Sequence, residues 1–366
     1  METNVSRRDF LKGSIVVALG AAGAATLSSC AGGDAAAKAD SAVATAPDTA
    51  AKTATLHRGY GAAHGDKCFT SVVVATAEDG TILAASVDDY QFMPADSAGI
   101  TPVPNSDAGF ADGYAEGKVL MSKTVNNDAY SASMKEKAQS TTPWLTSMKA
   151  IEAYCVGKKA SDLTKTSLDA VTGATLVDAP NYLKLVSEVA GSDDITTTGA
   201  YAGDGSDLKM GCATAAAHGD KAFAEAVSLV QGDVLVASSI DEFQFADASS
   251  AGLVPVPNSD AAFAEGYAEG KALMSKSVNS DMYSASMKEK AQSTTPWIES
   301  MSAIESFVAG QKIADVKAKG PDAVSGATLV DTAGYVDTAV EEAGSIRVNV
   351  DGKANVTGSG NVTGGA

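Results

Sequence analysis

The sequence predicts an α+β fold built from a tandem repeat of one small domain. The fifteen residues Tyr130–Trp144 recur without change as Tyr283–Trp297. In each copy, β-rich runs come first and helical patterns follow, which is the order expected of a small α+β domain. Each copy spans about 135 residues, a usual size for a domain that buries its own core.

The first strands are predicted from two β-rich runs near the start of each copy. Residues Cys68–Val74 and Thr81–Val87 are rich in apolar and β-branched side chains. Between them, Glu78-Asp-Gly80 is a hairpin signature. We therefore expect an antiparallel pair of strands here and at the corresponding place in the second copy.

The helices are predicted from the spacing of apolar residues farther along each copy. Thr142 and Pro143 place a capping hydroxyl before a first-turn proline. Apolar residues then recur at helical spacing at Trp144, Met148, Ile151 and Tyr154 or Cys155, and again at Trp297, Met301, Ile304 and Phe307. A last helix is expected at about residues 179–190.

Composition divides the chain into segments. Residues 31–55 contain mostly Ala, Ser, Thr, Asp and Lys without apolar periodicity, and residues 191–207 are rich in Gly, Asp and Thr. The predicted segments are a signal peptide at 1–29, a flexible tether at 30–55, domain 1 at 56–190, a linker at 191–209, domain 2 at 210–343 and a flexible tail at 344–366.

The amino terminus predicts export and a lipid anchor. Ser6-Arg-Arg-Asp-Phe-Leu-Lys12 precedes an apolar run at residues 15–27, which is typical of a twin-arginine signal. Leu27-Ser-Ser-Cys30 resembles the lipobox of bacterial lipoproteins, which implies that Cys30 is acylated. The alternative is a plain signal with a chance cysteine. We expect a protein held on the extracytoplasmic face of the cell membrane.

The charge of the chain argues against a nucleic-acid partner. The formal net charge is −18, and the sequence contains no basic patch that could neutralise phosphates. An anionic lipid surface would also repel the globular part, so membrane attachment would depend on the acyl chains. Simple colloidal solubility explains the acidity equally well.

A ten-residue sequence is the strongest candidate for a functional site. Asp169-Ala-Val-Thr-Gly-Ala-Thr-Leu-Val-Asp178 returns as Asp322-Ala-Val-Ser-Gly-Ala-Thr-Leu-Val-Asp331 with one conservative change. The residues just upstream, 161–168 and 314–321, have diverged. The motif has therefore been kept while its flank was free to change.

Both copies resemble FMN-binding domains, a family found in membrane redox pumps and exported flavoproteins. The likeness rests on the pattern Asp-x-x-(Ser/Thr)-Gly-Ala-Thr and covers residues 56–190 and 210–343. It implies two FMN groups, joined covalently through their phosphates to Thr175 and Thr328. It also implies flavin-binding roles for the remaining motif positions Asp169, Thr172, Gly173, Ala174, Asp322, Ser325, Gly326 and Ala327.

The motif also makes physical sense for phosphate attachment. A threonine hydroxyl is a weak nucleophile, so an external flavin transferase must activate it. The small residues before Thr175 let an enzyme and a phosphate approach the backbone. A helix starting just after the motif would direct free N–H groups at the phosphodiester. Asp178 and Asp331 stand where family members often carry a hydroxyl, and each could cap the helix or repel the phosphate.

Other candidate residues are fewer. His64 and His218, each followed by Gly-Asp, could contact the flavin or its phosphate, or could simply lie in a turn. They supply too few ligands for a metal site. Tyr90, Phe243, Trp144 and Trp297 could stack on a flavin ring or belong to the core. We predict no catalytic residue, because no Gly-x-Ser-x-Gly nucleophile elbow is present.

The cysteines leave one alternative open. Cys68 and Cys155 both lie in the first copy, and the second copy has Ala222 and Val308 in their places. Their joint absence is consistent with a disulfide, and buried thiols are equally possible. Cys212 has no obvious mate.

The function expected from these features is electron transfer by a lipid-anchored, doubly flavinylated protein. Its partners would be a flavin transferase, a membrane electron donor that oxidises quinol, and an extracellular acceptor or reductase. Two alternatives remain at this point. The chain could be the flavin-bearing subunit of one dedicated reductase, or a binding or adhesive lipoprotein without a cofactor.

Overall fold

Two antiparallel sheets form the middle of the protein. The computed structural model describes residues 51–164, 171, 174–320, 324, 326–327, 329, 331–341 and 346–349. The first sheet has the order β4-β3-β2-β1-β5. Its strands are β1 Lys52–Gly61, β2 Cys68–Ala77, β3 Ile82–Pro94, β4 Lys118–Ser122 and β5 Thr196–Tyr201.

The second sheet repeats this plan with one addition. Its order is β10-β8-β7-β6-β11, and β9 also pairs with β8. The strands are β6 Leu208–Ala215, β7 Ala222–Gln231, β8 Val234–Asp247, β9 Lys271–Ser275, β10 Gln311–Lys312 and β11 Ile346–Asn349.

Both copies contain helices as well as strands, so the predicted α+β class is confirmed. Most of the strands precede the helices in each copy, and β5, β10 and β11 are the exceptions among the described residues. The first copy contains α1 Asn127–Ala138, α2 Trp144–Cys155, α3 Ala160–Leu163 and α4 Ala179–Ala190. The second contains α5 Ser280–Ala291, α6 Trp297–Val308, α7 Ile313–Lys319 and α8 Thr332–Glu341. No helix in the described part of the chain combines the length and hydropathy needed to cross a bilayer.

The sheets are buried on both faces, which explains their continuous apolar runs. Val72 and Val74 on β2 pack with the helices of the first copy. Val73 and Ala75, which alternate with them, pack instead against residues of the second sheet. The layers are therefore helices, sheet, sheet, helices. Each copy has its own helix-facing core, and the two copies share a third core between the sheets.

An aromatic cluster joins the two copies reciprocally. A Cβ atom on Gly113 would overlap the ring of Phe245, and a Cβ on Gly266 would overlap the ring of Phe92. Tyr114 and Tyr267 also form an antiparallel bridge between the copies. Only glycine lets these rings approach so closely, so the two copies are fitted to each other along this surface.

A buried ionic cluster also crosses the interface. The Arg58 guanidinium lies 2.5 Å from a carboxylate oxygen of Glu225, and both side chains are almost fully buried. Arg58 also donates to the Ser239 hydroxyl and carbonyl at 2.9 and 2.7 Å. Ser71 and Tyr90 donate to Glu225 at 2.7 and 2.9 Å. The charges of this cluster are thus compensated by groups from both copies.

Part of the predicted linker is a strand. β5 lies within residues 191–209 and pairs antiparallel with β1 over Lys52–His57. A Cβ at Gly199 would overlap the Val236 carbonyl of β8, so the glycine allows β5 to lie against the second sheet. β1 likewise starts at Lys52, inside the segment predicted as a tether. The threonines of β5 resemble a linker in composition, but they are β-branched and suit a strand.

The predicted helix after the motif is confirmed at its expected bounds, and the start of α2 differs in detail. α4 spans Ala179–Ala190. At α2, Pro143 rather than Thr142 occupies the position before the first helical residue. The N–H groups of Trp144 and Leu145 donate instead to the side chains of Ser131 and Asn127 of α1, at 3.0 and 2.9 Å. The predicted capping role of Thr142 is therefore wrong. Proline can hold this position because the first N–H groups of a helix have no partner within it.

Candidate functional site

The described part of the first motif places Thr175 at the surface. Thr175 is exposed and lies four residues before the first residue of α4. Its backbone N–H donates to the hydroxyl of Ser147 on α2 at 3.3 Å, and the two hydroxyls lie 3.4 Å apart. Ser147 is fully buried. Thr175 thus contacts a buried hydroxyl on α2, and its side chain is accessible from solvent.

Several predicted motif residues lie outside the described residues. They are Asp169, Thr172, Gly173, Asp322, Ser325 and Thr328. Of the others, Ala174 and Ala327 pack beside the helix-facing cores of their own copies. Gly326 has a φ of +95°, a backbone conformation that favours glycine.

The structure joins each histidine to the aspartate at the end of its motif. His64 Nδ1 lies 2.9 Å from Asp178 Oδ2, and His218 Nδ1 lies 3.0 Å from Asp331 Oδ2. The Asp178 side chain makes no capping hydrogen bond to α4. Of the two roles considered for Asp178, capping is therefore absent, and the carboxylate faces the imidazole instead.

Each histidine also stacks on a tyrosine of the following helix. The His64 and Tyr182 rings are 6.4 Å apart and nearly parallel, as are those of His218 and Tyr335. The His64 side chain keeps 30% of its surface exposed. Because Asp178 lies three residues after Thr175, this pair is within about 11 Å of the threonine along the chain. The structure therefore places the predicted histidine, His64, and the predicted attachment residue, Thr175, in one region.

A buried ammonium lies beneath this region in each copy. Lys123 Nζ is 3.0 Å from Asp89 Oδ2, and both side chains are fully buried. Tyr182 donates to the same Asp89 oxygen at 2.5 Å, and the Thr70 hydroxyl donates to the other oxygen at 2.7 Å. In the second copy, Lys276 pairs with Glu242. Sequence analysis missed these pairs.

The lysines also lie over aromatic rings. Lys123 Nζ is 4.7 Å from the ring centre of Tyr130 and 5.9 Å from that of Trp144. Lys276 Nζ is 4.4 Å from the ring centre of Tyr283. Burial alone would lower the pKa of Lys123, but Asp89, Cys68 and Tyr130 together outweigh burial and raise that pKa above its ordinary value. The ammonium therefore remains charged at neutral pH.

The electrostatics of His64 follow from these neighbours. Burial lowers its pKa below the ordinary value of 6.5, and the Lys123 charge lowers it further. Asp89 and Asp178 act in the opposite direction without reversing the shift. At neutral pH the imidazole is therefore mostly uncharged, so it orients the Asp178 carboxylate without neutralising it.

The cysteines are buried thiols. Cys68, Cys155 and Cys212 form no disulfide in the part of the chain that the structure describes. Burial raises the pKa of Cys68, and nearby Asp89 raises it further. Burial also raises the pKa of Cys155. Both thiols therefore stay protonated at neutral pH, which makes them poor nucleophiles.

The aromatic candidates lie in the core. Tyr90 and Phe243 are fully buried in the cluster between the copies. Trp144 and Trp297 are buried in the helix-facing cores. Among the described residues, no group of three or more His, Cys, Asp or Glu side chains could hold a metal ion.

A cleft of about 340 Å³ opens between the copies, away from the motif. Leu185 and Val189 of α4 face Val254 across it, and Glu188 and Asp194 supply acidic groups. The described motif residues and His64 do not line it. The cleft is therefore a separate feature from the threonine site.

Comparison with known proteins gives no match: no family model, no curated protein and no solved structure is similar to this chain.

Proposed function

We propose that the protein is a lipid-anchored extracytoplasmic electron-transfer flavoprotein made of two tandem FMN-binding domains. FMN is attached covalently to Thr175 and to Thr328. The observation that carries this proposal is the duplicated pattern Asp-x-x-(Ser/Thr)-Gly-Ala-Thr. A single (Ser/Thr)-Gly-Ala-Thr sequence is common in turns. Two copies of this pattern, each with an aspartate at the same spacing, favour a shared chemical role.

The described geometry around Thr175 is compatible with a phosphodiester. The hydroxyl is exposed, so an external transferase can reach it. α4 begins four residues later, so the positive end of its dipole lies near the site. Its first N–H groups are not free for a phosphate, which differs from the sequence expectation: Ala179 donates to the Leu176 carbonyl at 3.1 Å, Asn181 donates to the Asp178 carbonyl at 2.9 Å, and Pro180 has no N–H. The buried ammonium of Lys123 lies in the same region, but its pairing with Asp89 leaves no net charge there for a phosphate. The Asp178 carboxylate opposes an anion, and its contact with His64 turns it toward the imidazole.

Attachment is a substitution at phosphorus that the chain cannot perform unaided. The Thr175 oxygen forms a bond to the phosphorus of an activated flavin nucleotide, and the rest of that nucleotide leaves with the electron pair of the broken phosphoanhydride bond. The hydroxyl proton passes to a base of the transferase. Ser147, which accepts a hydrogen bond from the Thr175 N–H, fixes the backbone at the point of attack.

Once attached, the flavin supplies the redox chemistry, because it exchanges electrons with both one-electron and two-electron partners. The protein's own contribution is retention and position. A covalent bond prevents loss of the cofactor outside the cell, and the acyl chain at Cys30 keeps it close to the membrane. We propose that electrons pass from a membrane quinol-oxidising system through this protein to an extracellular acceptor or reductase.

Substitution of the two threonines tests flavin attachment. Thr175→Val and Thr328→Val remove a hydroxyl with little change in volume, so each should cost one flavin per chain while the fold persists. The double variant should be colourless. Proteins are co-produced with the flavin transferase, and intact mass, peptide mapping and flavin fluorescence after denaturation give the count. Stopped-flow reduction and reoxidation then measure electron transfer.

Thr164→Val is the matched control, because Thr164 is exposed and lies outside the motif. It should retain two flavins. Unmodified Thr175 and Thr328 in the wild-type chain would contradict the proposed attachment. A double variant that carries electrons at the wild-type rate would contradict the proposed relay and favour a binding lipoprotein.

The lipid anchor is tested separately. Cys30→Ser should release the protein from membranes or leave its signal uncut, because apolar chains rather than charge hold it there. Wild-type protein should resist salt extraction. Fractionation of the native host measures both, with Cys155→Ala as a control that should remain membrane-bound. Unchanged attachment of Cys30→Ser would rule out acylation at this cysteine.

A further inference from the structure

Each histidine-bearing turn is held by an asparagine of the other copy. The Asn258 side-chain amide donates to the carbonyls of Gly65 and Cys68 at 2.8 and 2.7 Å, on either side of the turn that follows His64. Asn105 repeats this in the opposite direction. Its amide donates to the carbonyls of Gly219 and Ala222 at 2.8 and 2.7 Å, in the turn that follows His218.

Backbone groups add to these contacts. The Phe263 N–H donates to the Asp66 carbonyl at 2.8 Å, and the Phe110 N–H donates to the Asp220 carbonyl at 2.7 Å. Three carbonyls of each turn are therefore bound by the opposite copy. Asn105 and Asn258 both have a φ of +64°, a conformation that asparagine adopts more readily than most residues. The two clamps thus have the same local geometry.

The two turns differ in the support that they receive from their own copy. Around His64, the Cys68 thiol donates to the His64 carbonyl at 3.0 Å. The Thr70 hydroxyl accepts from the Ala63 N–H at 3.3 Å. The second copy has Ala222 and Ala224 at these positions, and neither side chain can form such a bond. The His218 turn therefore depends more on its cross-copy clamp.

We propose that Asn258 and Asn105 are positioning residues that act across the interface, each fixing the histidine of the other copy's site. The amide holds the turn, the turn fixes the imidazole, and the imidazole faces the aspartate at the end of the motif. The role of these histidines in flavin sites rests on the proposed function, whereas the crossed geometry does not. It follows that neither site is complete within its own copy.

Asn258→Gly and Asn105→Gly test the crossing, because glycine accepts the positive φ and removes only the amide. The chain has three histidines, so each imidazole gives a separable ring NMR signal. Asn258→Gly should shift the His64 signal and leave His218 unchanged. Asn105→Gly should shift His218 by a larger amount and leave His64 unchanged. His57, bonded to Ser192 and Thr76 within its own copy, should not move in either variant.

A shift at the histidine of the substituted copy, equal shifts at both, or no shift would overturn the proposal. Should the glycine variants unfold, which moves all three signals to one common random-coil position, Asn258→Asp and Asn105→Asp decide by the same criteria. Aspartate keeps the volume and tolerates positive φ, but it presents acceptors to the carbonyls. Crossed shifts in the variants, together with a wild-type chain that carries no flavin after co-production with the transferase, would support this inference and contradict the proposed function.

Discussion

Glu225→Gln is expected to destabilise both copies together by about 3–5 kcal/mol. Arg58 is buried, and Glu225 lies 2.5 Å from it across the interface. Glutamine preserves the shape but removes the countercharge, which leaves a guanidinium in the interior without its closest partner. Because the same carboxylate also accepts from Ser71 and Tyr90 of the first copy, the loss should propagate into that copy.

The two tryptophans allow the loss of stability to be measured separately in each copy. Trp144 belongs to the first core and Trp297 to the second, so Trp297→Phe and Trp144→Phe leave one fluorescent reporter in each copy. Urea unfolding should give the same midpoint for both reporters, lowered equally by Glu225→Gln. Ser71→Ala, which removes one hydrogen bond to the same carboxylate, is the milder control at about 1 kcal/mol. Separate midpoints, with only the second copy affected, would contradict a shared folding unit.

The elements that were predicted correctly from the sequence are those that depend on short-range patterns. The hairpin signal before Thr81 and the helix over 179–190 depend on residues close together in the chain, and both elements are present. The docking of the two copies could not be predicted in this way. It depends on Gly113 and Gly266 admitting rings from the opposite copy, and nothing in a linear pattern specifies which ring will meet which glycine.

The candidate site was partly predictable for the same reason. Repetition drew attention to Thr175, His64 and Asp178, and the structure unites His64 with Asp178. The buried lysines were missed because a charged residue within an apolar stretch is usually placed at the surface. A partial signal was present. Lys123 and Lys276 each follow Met-Ser, and an acidic residue recurs at Asp89 and Glu242. Repetition alone does not reveal burial, however, because Lys135 and Glu136 also recur, as Lys288 and Glu289, and are exposed.

Removal of one buried ammonium should alter both stability and titration of the first site. Lys123→Met leaves the Asp89 carboxylate buried without its countercharge, at an expected cost of about 3–5 kcal/mol. It also removes a positive charge that lowers the pKa of His64 and leaves Asp89, which raises it. We therefore expect the pKa of His64 to rise in this variant. A pH titration of the His64 ring signal by NMR measures the change.

The same change in the pKa of His64 should also appear in the pH dependence of stability. In the wild-type chain the pKa of His64 lies below 6.5, so the unfolded state binds more protons and His64 makes the fold lose stability as the pH falls below about 6.5. Lys123→Met should reduce this loss. Lys276→Met, the matched change in the second copy, should leave the His64 titration unchanged. Adding Asp89→Asn to Lys123→Met should recover part of the stability, since no charge is then left buried without a partner. A His64 pKa that stays the same or falls in Lys123→Met would show that the buried ammonium does not control the electrostatics of this site.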